Sequence, residues 1–138
     1  MSKVQDRIAA SFARQSLMAT LQAELLEVAE GRVVIAAPIR PGFLQQQGAG
    51  HAGVTFALGD TAAGYAALSR MPEGREVLTV EMKINLLSPA TGRRLIATGE
   101  VLRAGRRLVV VRAGVVAERD GTTGQVAELL GTMIPVDA

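Results

Sequence analysis

Hydrophobic positions change rhythm several times along the chain, and each rhythm predicts a different element. Val4, Ile8 and Phe12 recur every four residues, with Ser2 and Gln5 at capping-box spacing, so a short amphipathic helix is expected through about Gln15. Residues 20–28 and 32–39 flank Ala29-Glu30-Gly31, with β-branched residues concentrated in the second arm. That is the pattern of a hairpin, closed by Pro38 and Pro41. Gln45-Gln46-Gln47-Gly48-Ala49-Gly50 reads as one polar, glycine-rich loop. Residues 52–71 are rich in Ala and Leu and almost uncharged, with apolar or small residues on nearly every side. They predict a helix packed within the protein and ended by Pro72-Glu73-Gly74.

In the second half, Leu78, Val80, Met82, Ile84 and Leu86 alternate with Thr79, Glu81, Lys83 and Asn85, which predicts a half-buried strand stopped by Ser88-Pro89. Strand-like runs follow at 95–103, 108–118 and 125–136, joined by Ala104-Gly105 and by a loop over 119–124. Consecutive strands with short connections pair antiparallel. The expected outline is a hairpin, one long buried helix and a four-strand meander: an α+β domain whose antiparallel sheet wraps a central helix. At 138 residues, with no repeat or linker, the chain is expected to be one domain over 1–138.

Composition narrows the chemistry. Hydrophobic residues at 49% against 20% charged exclude intrinsic disorder. No cysteine means no disulfide scaffold and no thiolate nucleophile, and a single histidine removes multi-histidine metal sites. Asp6, Asp60, Asp120 and Asp137 are scattered singly, so neither a metal nor a cofactor is expected. No apolar run approaches the roughly 20 residues of a membrane span, and no signal-peptide pattern follows the first residues. The expectation is a soluble, cytoplasmic protein with no membrane partner. Net charge is +2, but Phe12, Phe43, Phe56 and Tyr65 are too few for base-stacking platforms, so no nucleic-acid partner is expected.

Asp60 is the most informative residue, a carboxylate in the most apolar helix of the chain. Neither propensity nor packing favours it there. It either faces a polar crevice or an arginine, or it serves as a general base or nucleophile. His51 immediately precedes the helix, where it can cap or act chemically. Gly48-Ala49-Gly50-His51-Ala52-Gly53 matches G-x-G-x-x-G, but a dinucleotide fingerprint needs a buried parallel strand before it. What survives is a helix start whose free N–H groups can hold an oxyanion or phosphate. Nine residues along a helix put His51 and Asp60 roughly 13 Å apart. Either they serve different sites, or two chains meet so that one supplies the helix start and the other Asp60, which implies a symmetric dimer. Between residues 89 and 113, Arg93, Arg94, Arg103, Arg106, Arg107 and Arg112 stand against Glu100 alone, as a solvated sheet face or a phosphate dock. There is no G-x-S-x-G elbow, S-x-x-K or Walker loop.

His51-Ala52-Gly53 followed by Asp60, then residues 79–90 (Thr-Val-Glu-Met-Lys-Ile-Asn-Leu-Leu-Ser-Pro-Ala), with Glu30-Gly31-Arg32-Val33 and Gly105-Arg106, resembles the hotdog-fold acyl-CoA thioesterases of the phenylacetic acid degradation type. The likeness runs from about Leu17 to Val136. It implies a sheet wrapped around one long helix, and hydrolysis of an acyl-CoA at the interface of a homodimer or a dimer of dimers. On that resemblance Asp60 is the catalytic acid, and the Ala52 and Gly53 amides form the oxyanion hole. Gln45 orients water or thioester, Thr79 lies near the reacting water, and His51 belongs to the same motif. Arg106 and Arg107, with Ser88 and Pro89, receive the CoA. Phe56, Leu58, Tyr65 and Leu86 are candidates to line the acyl pocket. The family usually has glycine where Ala52 stands, which matters only if that residue needs a positive φ. Two rival readings are a hotdog hydratase or dehydratase, whose His-rich signature is absent, and a non-catalytic acyl-CoA-binding regulator.

Overall fold

The computed structural model describes residues 2–138. Ser2 closes the expected capping box: its hydroxyl accepts from the Gln5 amide at 3.1 Å, and its own amide donates to Gln5 Oε1 at 3.0 Å. Helix α1 follows at Lys3–Ala13. A second helix, α2 (Ser16–Thr20), stands where the first arm of the hairpin was expected to begin. Met18 and Leu21 are both buried, and their three-residue spacing belongs to a helix, not a strand. Gln22 then turns the chain at φ 56°, and strand β1 starts only at Glu24–Ala29. It forms a hairpin with β2 (Arg32–Pro38) through a two-residue turn in which Gly31 takes φ 79°.

A 3₁₀ turn at Pro41–Phe43 and the glycine-rich loop lead into helix α3 (Ala52–Leu68). Strands β3 (Arg75–Leu86), β4 (Arg94–Ala104), β5 (Val109–Arg119) and β6 (Thr122–Asp137) follow. The six-stranded sheet runs β1-β2-β4-β5-β6-β3, antiparallel throughout. The expected four-strand meander holds for β4-β5-β6 but not for β3, which pairs with β6 at the sheet edge while β4 joins β2. The cause is the link over residues 87–93, which is a crossover and not a turn. Leu87 donates to the Val126 carbonyl at 2.7 Å, and the Gly50 amide donates to the Ala90 carbonyl at 2.8 Å, so the chain passes beneath the start of α3. The β5–β6 connection is shorter than the expected 119–124 loop. Asp120 (φ 49°) and Gly121 (φ 79°) make a two-residue turn, and pairing continues to Arg119 and Thr122.

One face of the sheet packs on α3. Val33, Ile35, Leu95, Ala97, Val111, Val115, Leu129 and Met133 are buried against Leu58, Ala62, Ala63 and Leu68. Alanines dominate this helix because the sheet comes very close. A Cβ on Gly99 of β4 would lie 2.3 Å from the Ala62 carbonyl, so glycine is required there. At the far end, the Arg7 guanidinium from α1 donates to the carbonyls of Leu68 at 2.5 Å and Pro72 at 2.9 Å, closing the C-terminus of α3. No described helix is long and apolar enough to cross a membrane.

Burial of α3 is complete over its second half, from Ala62 to Leu68, but not over its first. Gly53 is exposed, and Val54, Phe56, Ala57, Asp60 and Thr61 are only half-buried, which leaves one face of the helix open in a single chain. Edge strand β3 is open as well, with Leu78, Val80 and Leu86 each more than half exposed. The expected single apolar face of this strand does not form, because a bulge between Thr79 and Glu81 reverses the alternation. Before the bulge Val77 and Thr79 face α3; after it, Met82 and Ile84 pack on the core.

Candidate functional site

Two clefts flank α3; of the expected site residues Asp60 and Thr79 line one, and Gln45, Ala52, Ser88 and Pro89 line the other. The first surrounds Asp60, has a volume of about 350 Å³ and is lined by α1, α3 and the strands carrying Glu76, Val77, Thr79 and Met133. The bulge in β3 turns Thr79 inward, and its hydroxyl donates to Asp60 Oδ1 at 2.7 Å. The Met133 sulfur lies 3.2 Å from the same hydroxyl, but a single proton goes to the anionic acceptor over a thioether. Burial raises the Asp60 carboxyl above its usual value of 3.8, and the Thr79 hydrogen bond opposes that rise. A carboxylate so placed is a stronger base than an exposed one, held in one orientation.

Beyond Asp60 the same cleft has a polar wall that the sequence analysis did not identify. Gln15 Nε2 donates to the Tyr65 hydroxyl at 2.8 Å, and Tyr65 lies 3.0 Å from Ser11 Oγ. Ser11 gives its only proton to Glu76 at 2.9 Å, so Tyr65 must donate to Ser11. Arg14 pairs with the same Glu76 oxygen at 3.3 Å. The available signal was Ser11, a polar residue on the buried stripe that also carries Ile8. Of the residues expected to line an acyl pocket, Tyr65 is here, Leu58 is buried in the core, and Leu86 lies in the other cleft.

The second cleft, about 390 Å³, lies at the start of α3 and is lined by Gln45, Ala52, Thr55, Ser88, Pro89 and their neighbours. Gln45 Oε1 accepts from the amides of Gln47 at 2.5 Å and Ala49 at 3.3 Å, which pins the loop and leaves its Nε2 without a described partner. His51 is the N-cap: its Nδ1 accepts from the Gly53 amide at 2.8 Å. An accepting Nδ1 belongs to the neutral imidazole with its proton on Nε2. The cap bears on two of the expected positions. The Gly53 amide is already occupied by His51, so of the two proposed donors only the Ala52 amide is free among the described residues. Ala52 is helical, without positive φ, so alanine costs nothing in place of glycine. At Gly53 the fit is tighter: a Cβ there would lie 3.0 Å from His51 Nδ1, so the imidazole would have to give by a few tenths of an ångström. The G-x-G-x-x-G match is confined to this loop and cap, within an antiparallel sheet.

Half of the arginine cluster is neutralised in three dimensions. Arg93 and Arg94 pair with Glu118, while Arg112 lies between Glu100 and Glu128, acids that come largely from outside the 89–113 segment. Arg106 and Arg107 form no ion pair among the described residues and are exposed in the β4–β5 turn. Within one chain they are not brought to Ser88 and Pro89. Ser88 and Pro89 lie at the end of the sheet where β4 begins, and the two arginines lie past its other end, roughly 30 Å away along the strand. They share that other end with the β6–β3 pairing of Met133 and Thr79.

The chain is similar over 91 residues, at 31% identity, to a Saccharolobus solfataricus protein named "Putative esterase SSO2140", a match covering 66% of this chain and 64% of that one. A second protein of the same organism and naming, SSO1253, is 35% identical over 86 residues, covering 61% and 53%. The chain thus spans just under two thirds of the first curated relative and about half of the second. Among solved structures, a thioesterase family protein from Silicibacter pomeroyi superposes with a TM-score of 0.95 at 40% identity, over 98% of this chain and 99% of that one. The E. coli PaaI protein from the phenylacetic acid degradation operon superposes with a TM-score of 0.88 over 99% and 95%, and at 23% identity it speaks for the hotdog fold alone. Residues 47–123, which run from the glycine-rich loop through the cap, Asp60 and Thr79, match the thioesterase superfamily. That segment is more than half of the chain, and the chain belongs to the thioesterase superfamily.

Proposed function

We propose that this protein hydrolyses acyl-CoA thioesters as a homodimer, or a dimer of dimers, with each active site shared between two chains. The observation that carries the reading is the division of complementary chemistry between two clefts of one chain. Asp60 with Thr79 supplies a half-buried, oriented carboxylate at one cleft; the start of α3 supplies backbone and Gln45 amide donors at the other. A twofold axis near edge strand β3 would cover its exposed Leu78, Val80 and Leu86 together with the open face of α3. It would also set the Asp60 of one chain opposite the Ala52 amide of the other.

In the reaction, a water donates its proton to Asp60 as it adds to the thioester carbonyl carbon. The carbonyl oxygen becomes an oxyanion held by the Ala52 amide and Gln45 Nε2. Collapse breaks the carbon–sulfur bond, releasing the CoA thiolate and the acid. A general base contributes about 10²–10⁴ in rate, and one oxyanion donor about 10²–10³. Direct attack by Asp60 to give an anhydride uses the same geometry. The chain that supplies Asp60 also carries Arg106 and Arg107 at that end of its sheet, where they would receive CoA phosphates, while Ser88 and Pro89 of the other chain line the approach. The test is release of free CoA thiol from a panel of acyl-CoAs, with Asp60→Asn alongside. Wild-type turnover that falls at least about a hundredfold in the variant is expected. Turnover that survives in Asp60→Asn, or an active monomer in light scattering, would overturn the reading.

A further inference from the structure

The second cleft contains one polar group that the reading above does not use. Thr55 is only 1% exposed, and its hydroxyl oxygen is buried without any hydrogen-bond partner among the described residues. The residue nevertheless forms part of the wall of the cleft at the start of α3, with Ala52 and Gln45. A helical threonine usually returns its hydroxyl proton to a carbonyl three or four residues back. Here the His51 carbonyl accepts from the amides of Val54 at 2.9 Å and Thr55 at 3.4 Å, and the Thr55 hydroxyl makes no such bond. Leaving such a group buried costs stability unless something pairs with it.

Position indicates what that partner is. Thr55 lies three residues after Ala52, on the same face of the helix, and the Cα–Cβ bonds of a helix lean toward its N-terminus. Its side chain therefore leans over the turn that carries the free Ala52 amide. The other amide of that turn, Gly53, is already taken by His51. Resting on the thioesterase reading, we infer that Thr55 is a catalytic residue whose hydroxyl donates to the thioester oxygen beside the Ala52 amide, replacing the Gly53 amide as a donor of the oxyanion hole. The hydroxyl costs no reorganisation when the oxyanion forms, because no internal bond has to be broken to release it.

Thr55→Val removes the hydroxyl and keeps the branched shape; Thr55→Ser keeps the hydroxyl. Steady-state hydrolysis of an acyl-CoA that the wild type turns over is measured for both, together with thermal melting. The expected result for Thr55→Val is a fall in kcat of about a hundredfold, the low end for one oxyanion donor, with little change in KM. Its Tm should be equal to or above that of the wild type, since an unpaired buried hydroxyl has been removed. Thr55→Ser should recover most of the rate. Wild-type kcat in Thr55→Val overturns the inference alone. So does a lost rate accompanied by a lower Tm that Thr55→Ser fails to restore, which is the signature of a packing role. A wild type inert on every acyl-CoA overturns the thioesterase reading and this inference with it.

Discussion

Replacing Thr79 by valine removes one hydroxyl, keeps the branched shape suited to a strand, and isolates the hydrogen bond that the β3 bulge creates. In the wild type that hydroxyl lies 2.7 Å from Asp60 Oδ1, on a carboxyl whose pKa is raised chiefly by burial and lowered by this bond. A hydrogen bond to a charged group is worth about 1.5–3 kcal/mol, or roughly a tenfold to a hundredfold change in an equilibrium or a rate. Without it burial acts unopposed, and the carboxyl holds its proton to higher pH. The base must be unprotonated to accept a proton from water, so the acid limb of kcat/KM should move to higher pH. On that limb, activity should fall by about tenfold to a hundredfold. The assay is kcat/KM against pH for wild type, Thr79→Val and Thr79→Ser, with the serine variant tracking the wild type. If the bond only sets ionisation, the valine variant regains full rate on the alkaline plateau; if it also orients the carboxylate, the plateau falls too. An acid limb that stays in place in Thr79→Val would refute the reasoning.

Asp60 should also be visible in stability. A carboxyl raised by burial contributes stability that is complete below the usual carboxylate range and is lost as pH rises through its folded value. Asp60→Asn should therefore melt higher than the wild type at neutral pH, with the gap closing in acid; a gap independent of pH would contradict this. Arg106→Ala with Arg107→Ala should raise KM for acyl-CoA and leave kcat nearly unchanged, because a remote phosphate holds ground and transition states alike. Salt should mimic that effect in the wild type, and a short thioester without the nucleotide should show neither response. Wild-type KM in the double variant would make the two arginines a solvated turn.

The elements that rest on local chemistry were legible in the sequence. Ser2 and Gln5 form their capping box, Gly31 turns its hairpin, the Ala-rich segment is the central helix, and Asp60 stands out as a charge that apolar packing does not explain. Such features depend on residues within a turn or two of each other, so spacing and side-chain type suffice to reveal them. Tertiary structure decided the rest. That β3 pairs with β6 and not β4 depends on a crossover beneath the helix, held by bonds from Leu87 to Val126 and from Gly50 to Ala90, partners that nothing local relates. That Thr79 and not Leu78 faces Asp60 depends on a single extra residue in one strand, which reverses every side chain beyond it. Half of the apparent arginine patch is neutralised because Glu118 and Glu128 reach Arg93, Arg94 and Arg112 across the sheet. The Tyr65–Ser11–Glu76 wall, and the Thr55 hydroxyl without a partner among the described residues, likewise exist only where distant segments meet. A side chain's partner is a property of the packed chain, since burial removes water as the default partner and leaves only what the fold brings within reach.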